Sequence, residues 1–440
     1  MCLDGTQNSP EQEVKPVGGH KLYKPTNVLK TFRAIRPVDD DGVSQIAYYS
    51  EGVGSMIGED TLYAKVEVWV DRIFGGVAAV GYGSRVKSAY RFLVANYRPG
   101  DQILVFGFSR GAAEAQTLVR FIAWVGGILH KEAAGGLLHK RNEYWIPELY
   151  EGFRRSCTAD EVFAEIRRRS NDAVIGVTRP AKLTCRGERD LVEQPQPRSA
   201  AQRGWIYNPQ AAQIEFLGVY DTVVSVGWHL IPARQAKKYA YLVDKIPPTI
   251  VKTIRQALAI DERRWDYSPQ VWQPSDLEPQ EDGVRPLVQL WFPGVHSNVG
   301  GGYPHDEMAN GAFTWVVGEA EKIAHLAVDH DYLHFFEENQ DPCADPCRPD
   351  SDGLGWKILD LVRCKTFRGV RELATWDEDG SWEKSGLGFH ESLGTLLLCD
   401  RTYRPKNLLE HLGKNPHRID DFPSHRCEIG QIVDDFNGKA

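Results

Sequence analysis

Three stretches are apolar enough to be strands buried on both faces, and each ends in a loop of small and polar residues. They are DQILVFGF (Asp101–Phe108), AAQIEFLGVYDTV (Ala211–Val223) and RPLVQLWFPGVHSNVGGGY (Arg285–Tyr303). After the first, AAEAQTLVRFIAWV changes to helical spacing, so a strand, a sharp turn and a helix follow one another. Buried strands alternating with helical patterns predict an α/β fold, with a mostly parallel sheet and helices on both faces. In such sheets chemistry collects in loops beyond the carboxyl ends of the strands. Ser109, Asp221 and His296 all stand in loops of that kind, far apart in sequence.

Outside this alternation the texture changes twice. Residues 130–205 carry the run Arg167–Arg169 and then a polar, proline-containing segment. The pattern predicts an insertion with some helix and then a lid-like loop over the carboxyl edge of the sheet. Thirteen Lys and Arg stand against ten Asp and Glu from Lys140 to Arg203. An ordinary solvated surface explains so small an excess, and a lid touching anionic lipid is the alternative. The acidic stretch FFEENQDPCADPCRPDSDG (Phe335–Gly353) reads as a linker. The expected organisation is one domain over 1–330 and a C-terminal helical extension or small subdomain over 331–440.

Composition narrows the function classes. With 440 residues, 42% hydrophobic and 25% charged, the chain is of globular type and can bury a sizeable core. A net charge of −8 argues against general nucleic-acid binding, which needs a concentrated basic surface. The longest apolar candidate, LVRFIAWVGGIL (Leu118–Leu129), is broken by Arg120 and too short to span a bilayer. MCLDGTQN at the start has neither the basic nor the apolar region of a signal peptide, so the default expectation is an intracellular, cytoplasmic protein. Of eight cysteines only Cys343 and Cys347 form a local pair. Without a second pair they read as loop thiols rather than a zinc site, with a disulfide as the alternative in an exported chain.

The stretch VFGFSRGAAEA (Val105–Ala115) carries the chemistry. A serine nucleophile must be lifted clear of the sheet on a strained turn, and that needs glycine two residues to either side. Gly107 and Gly111 stand there. The plainer reading is a turn serine between two convenient glycines. A hydroxyl also needs a base, and the base needs an orienting acid. His296, before SNVGGGY, suits the base, with His390 in GLGFHESL as its rival and His229, His305 and His330 in weaker settings; an imidazole that merely caps a loop is the alternative role for His296. Asp221 suits the acid, unless it only makes an Asx turn with Thr222 and Val223. Asp306 and Asp261 are other acids, though Asp261 reads as a charge on a helix end. The oxyanion would be held by the backbone N–H of Arg110 and by Gly5 and Thr6 of LDGTQN, with Asp4 and Asn8 tying that loop together.

Several blocks in order resemble the α/β-hydrolase family of the type VI secretion phospholipase effectors, which has many fungal members. They are LDGTQNS (Leu3–Ser9), PTNV (Pro25–Val28), YYSEGVGS (Tyr48–Ser55), AYRFLVANYRPGDQILVFGFSRGA (Ala89–Ala112), FLGVYDTVVSVG (Phe216–Gly227), ALAIDERRWDYSP (Ala257–Pro269) and LWFPGVHSNVGGGY (Leu290–Tyr303). The resemblance implies a Ser-Asp-His triad of Ser109, Asp221 and His296, and so favours His296 over His390. It implies a lipid or phospholipid ester substrate, a short-chain ester remaining open, and no cofactor or metal. It also brings peripheral contact with a membrane surface into view. Tyr220, Val224, Asn298 and Ala113 depart from the family's usual residues, which leaves a catalytically inactive binding protein for lipid or protein as the alternative. Only Met1, Cys2 and Leu3 precede Asp4, so the chain is expected to begin inside a strand, as a truncated gene or unusual start would make it.

Overall fold

A computed structural model describes residues 1–5, 13–17, 20–23, 25–52, 78–131, 142–174, 209–223, 246–264, 267–273, 283–303, 305–344, 371, 373 and 385–438. In chain order the strands are β1 (Cys2–Leu3), β2 (Glu13–Val17), β3 (His20–Tyr23), β4 (Tyr49–Ser50), β5 (Ile103–Phe108), β6 (Ile214–Tyr220), β7 (Val251–Ala259), β8 (Leu287–Phe292) and β9 (Leu387–Phe389). β2 and β3 pair antiparallel on their own. The other seven form one sheet, ordered β4-β1-β5-β6-β7-β8-β9, in which every neighbouring pair is parallel. The fold is therefore α/β, as the alternation of apolar runs predicts.

Parallel strands need crossovers, and the helices that make them cover both faces. The helices are α1 (Asn27–Ala34), α2 (Ala78–Asn96), α3 (Arg110–Val125), α4 (Ile146–Arg154), α5 (Ala159–Val174), α6 (His296–Gly300), α7 (Glu307–Ala324), α8 (His330–Glu338), α9 (Glu391–Cys399), α10 (Lys406–Lys414) and α11 (Arg426–Asn437). Side chains on a strand point to opposite faces in turn. Val105, Leu217 and Val219 thus join a core with α2 to α5, while Phe106, Phe108, Phe216 and Tyr220 join a second core with α1, α7 and α8. Both faces of the central strands are buried, and their sequences accordingly read as near-continuous apolar runs.

One element differs from a reading of the sequence. The stretch ALAI before Asp261 ends strand β7 rather than a helix. Its pattern is obscured because two polar side chains in the middle of β7 are buried with partners: Arg255 Nε donates to Glu319 Oε2 at 2.6 Å, and Gln256 Nε2 to the Gln270 carbonyl at 2.7 Å. Residues beyond 330 supply β9, the seventh strand of the sheet, and α9 to α11 pack on Leu258 and Trp291 of β7 and β8. The helical part of 130–205 packs into the first core through Trp145, Ile146, Leu149, Val162 and Ile166; residues 175–205, with the polar segment, lie outside the described residues.

Cys343 forms a disulfide with Cys399 on α9, not with its sequence neighbour Cys347, which lies outside the described residues; Cys157 is also disulfide-bonded. The expectation of two loop thiols is corrected for Cys343: chain folding brings it to a partner 56 residues away.

Lys30 on α1 is fully buried, with Nζ 2.8 Å from Asp306 Oδ2 and 2.7 Å from Asn310 Oδ1, and 4.7 Å from the Phe336 ring centre. This ties α1 to the start of α7. Lys30→Ala, which takes the ammonium away from a buried carboxylate, is expected to cost about 3–5 kcal/mol in urea unfolding. A loss below about 1 kcal/mol would show that Asp306 does not depend on the ammonium.

Candidate active site

Ser109 follows β5 directly and precedes α3, at φ 58° and ψ −124°. Few non-glycine residues adopt a positive φ, and of the four that do among the described residues two are Ser109 and Asp221. The turn is held by Ser109 N–H donating to the Tyr220 carbonyl at 3.0 Å. It is also why the flanking residues are glycine. A Cβ on Gly107 would stand 2.6 Å from Ala112 Cα, and one on Gly111 would run into the carbonyls of Leu3 and Asp4. The loop after β1 therefore lies against the first turn of α3, beside Arg110.

Phe108 and Tyr220 are register partners on adjacent strands, so Ser109 and Asp221 leave the sheet side by side. Asp221 is fully buried. Its Oδ2 lies 2.6 Å from His296 Nδ1, and its Oδ1 accepts from the Ala259 N–H at 3.0 Å. His296 opens α6 at the end of β8, its ring 4.7 Å from Phe108 and edge-on to Tyr267 at 4.8 Å between centres. A Cβ on Gly300 would enter the Phe108 ring, so α6 can seat the imidazole here only with glycine at that position. The Nδ1 bond fixes the ring's orientation and turns Nε2 away from the carboxylate.

The remaining residues singled out from the sequence are placed as follows. His390 caps α9: its Nδ1 accepts from the Ser392 N–H, and its ring stacks on Phe292 at 4.2 Å. Burial lowers its pKa to about 4. His305 is exposed, His330 is an exposed partner of Glu321, and His229 lies outside the described residues. Asp306 holds Lys30, and Asp261 accepts from the Gly294 N–H and the Tyr403 hydroxyl. Asp4 does tie its loop: it accepts from the Thr26 and Tyr49 hydroxyls and from the Gly5 N–H, all at 2.6 Å. The Gly5 N–H thus points into the Asp4 carboxylate. Thr6 and Asn8 lie outside the described residues. Of the residues that depart from the family's usual pattern, Asn298 closes the start of α6 by accepting from the Val295 N–H, Tyr220 and Ala113 are buried, and Val224 is not described.

Sequence reasoning missed three charged residues at this site. Arg371 donates from both Nη atoms to Asp221, at 2.6 and 2.9 Å. Glu262 is buried, accepts from the His296 N–H at 3.2 Å, and pairs with Arg264, whose guanidinium lies 3.6 Å over the Tyr267 ring. The only signal for Glu262 and Arg264 was their place in the block ALAIDERRWDYSP; Arg371 had none.

Burial alone would raise the pKa of Asp221, but the Arg371 guanidinium and the His296 hydrogen bond outweigh it and hold the carboxyl well below its usual range. Burial likewise opposes ionisation of Glu262, and Arg264 overcomes it, bringing that carboxyl to about 2. His296 is lowered, first by burial and further by the Arg264 charge, while Asp221 pulls the other way. An ionised Asp221 thus lies against a neutral imidazole, and Ser109 leaves the neighbouring strand on a strained turn.

The family model described as "T6SS, Phospholipase effector Tle1-like, catalytic domain" matches residues 1–319. An uncharacterized Saccharomyces cerevisiae protein, YEL023C, is 25% identical over 286 residues, 64% of this chain and 33% of that protein, so the chain spans a third of its relative. Among solved structures, an uncharacterized protein from Pseudomonas aeruginosa is 16% identical with a TM-score of 0.35, covering 83% of this chain and 50% of that one. The Tle1 effector bound to the VgrG spike of the type VI secretion system is 18% identical with a TM-score of 0.28, covering 63% and 40%.

On α3, Glu114 is buried, and burial pushes its carboxyl up to about 7 although Arg85 and Arg110 pull it down. A carboxyl raised in the fold favours folding below its unfolded value and loses that contribution as pH rises through the folded one. Unfolding free energy should therefore fall by about 3 kcal/mol between pH 4.5 and 8. Glu114→Gln should flatten that decline in urea unfolding followed across this range; an unchanged slope would place its cause elsewhere.

Proposed function

The chain belongs to the family of Tle1-like phospholipase effector catalytic domains, and from that premise we propose that it is a serine hydrolase of lipid esters. The observation that carries this reading is the 2.6 Å bond from Asp221 to His296, formed beside a serine at φ 58°. Ser109 Oγ attacks the acyl carbonyl while His296 Nε2 takes its proton. Asp221 keeps the imidazole in the tautomer with Nδ1–H and stabilises the imidazolium that forms. The proton then passes to the leaving alcohol, and water, activated by the same imidazole, releases the acid from the acyl-enzyme.

In this reading the Arg110 N–H, first in α3, donates to the developing oxyanion, and the helix N-terminus adds its partial positive charge. A second donor comes from the loop after Asp4. Because the Gly5 N–H is engaged by Asp4, it can serve only if that bond opens, which leaves Thr6 as the other donor in this loop.

A phospholipid or other lipid ester is the substrate class, met at a membrane surface. Among the described residues no helix is long and apolar enough to cross a membrane. Disulfides persist in oxidising compartments. The Cys343–Cys399 bond therefore favours such a compartment over the cytoplasmic default drawn from sequence.

A fluorophosphonate probe should label the wild type and not Ser109→Ala, and that variant should lose on the order of 10⁶ in kcat, as in other serine hydrolases. Asp221→Asn should lose about 10⁴ by upsetting the tautomer. Labelling of wild type no stronger than of Ser109→Ala would instead mean a hydrolase fold used only for binding.

A further inference from the structure

Asp221 is gripped by a second side chain besides His296. Arg371 reaches it with both Nη atoms, and the same two atoms donate to backbone carbonyls: Nη1 to Ala259 and Nη2 to Tyr267, each at 2.5 Å. The guanidinium is thus fixed at four acceptors and almost fully buried. It is anchored from behind as well. Asn407 of α10 donates to the Arg371 carbonyl at 3.0 Å, and Leu373 is buried in the core formed by α9 to α11. Arg371 lies beyond residue 319, where the family match ends.

We propose that Arg371 is a positioning residue for the Ser109 reaction, fixing the plane of the Asp221 carboxylate and the Tyr267 wall on either side of the His296 ring, so that the C-terminal part of the chain completes the active site. This rests on the serine-hydrolase reading. A planar fork suits the task, because two parallel N–H bonds set a carboxylate's orientation where a point charge sets only its distance. With the guanidinium in place, Oδ2 faces Nδ1 and cannot rotate away. Its charge also weighs on the imidazole. The charged and titratable groups around His296 are Asp221 at Nδ1, Arg371 on both oxygens of Asp221, Glu262 at the backbone N–H, Arg264, which pairs with Glu262 and lies over Tyr267, Tyr267 against the ring, and Tyr303 beside Arg264 and Glu262. Taking Arg371 away removes a cation from this set and favours the imidazolium.

The test uses the full chain with a soluble p-nitrophenyl ester. Arg371→Gln should lower kcat by about 10²-fold with little change in KM, the cost of a misplaced catalytic group. Neutral His296 is the active form, so its stabilised imidazolium should move the acid limb of kcat/KM upward by on the order of one pH unit. Arg371→Lys keeps the charge and loses the fork, so kcat should fall while the limb moves less. In an Asp221→Asn background the Gln variant should cost little more, since both act through one carboxylate. Unchanged kcat and pH profile in Arg371→Gln, with Ser109→Ala inactive, would overturn the proposal and leave the hydrolase reading standing. If the wild type itself is unlabelled by the fluorophosphonate, the hydrolase reading fails. The His296 titration followed by NMR in wild type, Arg371→Lys and Arg371→Gln then decides the clamp: a raised midpoint in the Gln variant supports it, and identical midpoints overturn it. Circular dichroism of each variant identifies loss of fold; should the Gln variant unfold, the Lys variant carries the same comparison.

Discussion

A carboxylate with no contact with water stays ionised only where the protein replaces the lost solvation, and the arrangement around Asp221 is built to do that. The Ala259 N–H, the His296 imidazole and the Arg371 guanidinium all converge on its two oxygens. These partners come from the end of β7, from the start of α6 and from residue 371, so one buried charge draws together elements separated by up to 150 positions. Removing any partner leaves a desolvated charge short of compensation, which is costly inside a protein.

The second constraint is steric. Gly107 and Gly111 let α3 start hard against β5 and the backbone of Leu3 and Asp4; Gly300 lets α6 settle on the Phe108 ring. The serine turn, the loop after β1 and the imidazole can share one end of the sheet because three side chains are absent. Asp4 completes this end by joining the cap of α1 to β4 through the Thr26 and Tyr49 hydroxyls.

How much of this was legible depended on whether a feature leaves a local trace. Strands buried on both faces leave one in their apolar runs, so β5, β6 and β8 could be read; β7 could not, because Arg255 and Gln256 break its pattern and are satisfied by groups distant in sequence. The serine turn leaves one in its glycines. His296 and His390 are both loop histidines after apolar stretches, and the family resemblance favoured the first. In the folded chain His296 meets Asp221, while His390 caps a helix. Lys30, Arg371 and the Cys343–Cys399 bond leave no such trace, since each is defined by a partner far along the chain.

The sequence by itself determined the α/β alternation and the strand-turn-helix at Ser109, because backbone sterics and side-chain periodicity act between residues a few positions apart. Tertiary structure alone decided which charges neutralise one another, that β9 and Arg371 bring the C-terminal part into the sheet and up to Asp221, and that the Gly5 N–H turns toward Asp4. Electrostatic pairing in a buried site depends on distance in space, and two residues 150 positions apart carry no sign in sequence that they will meet.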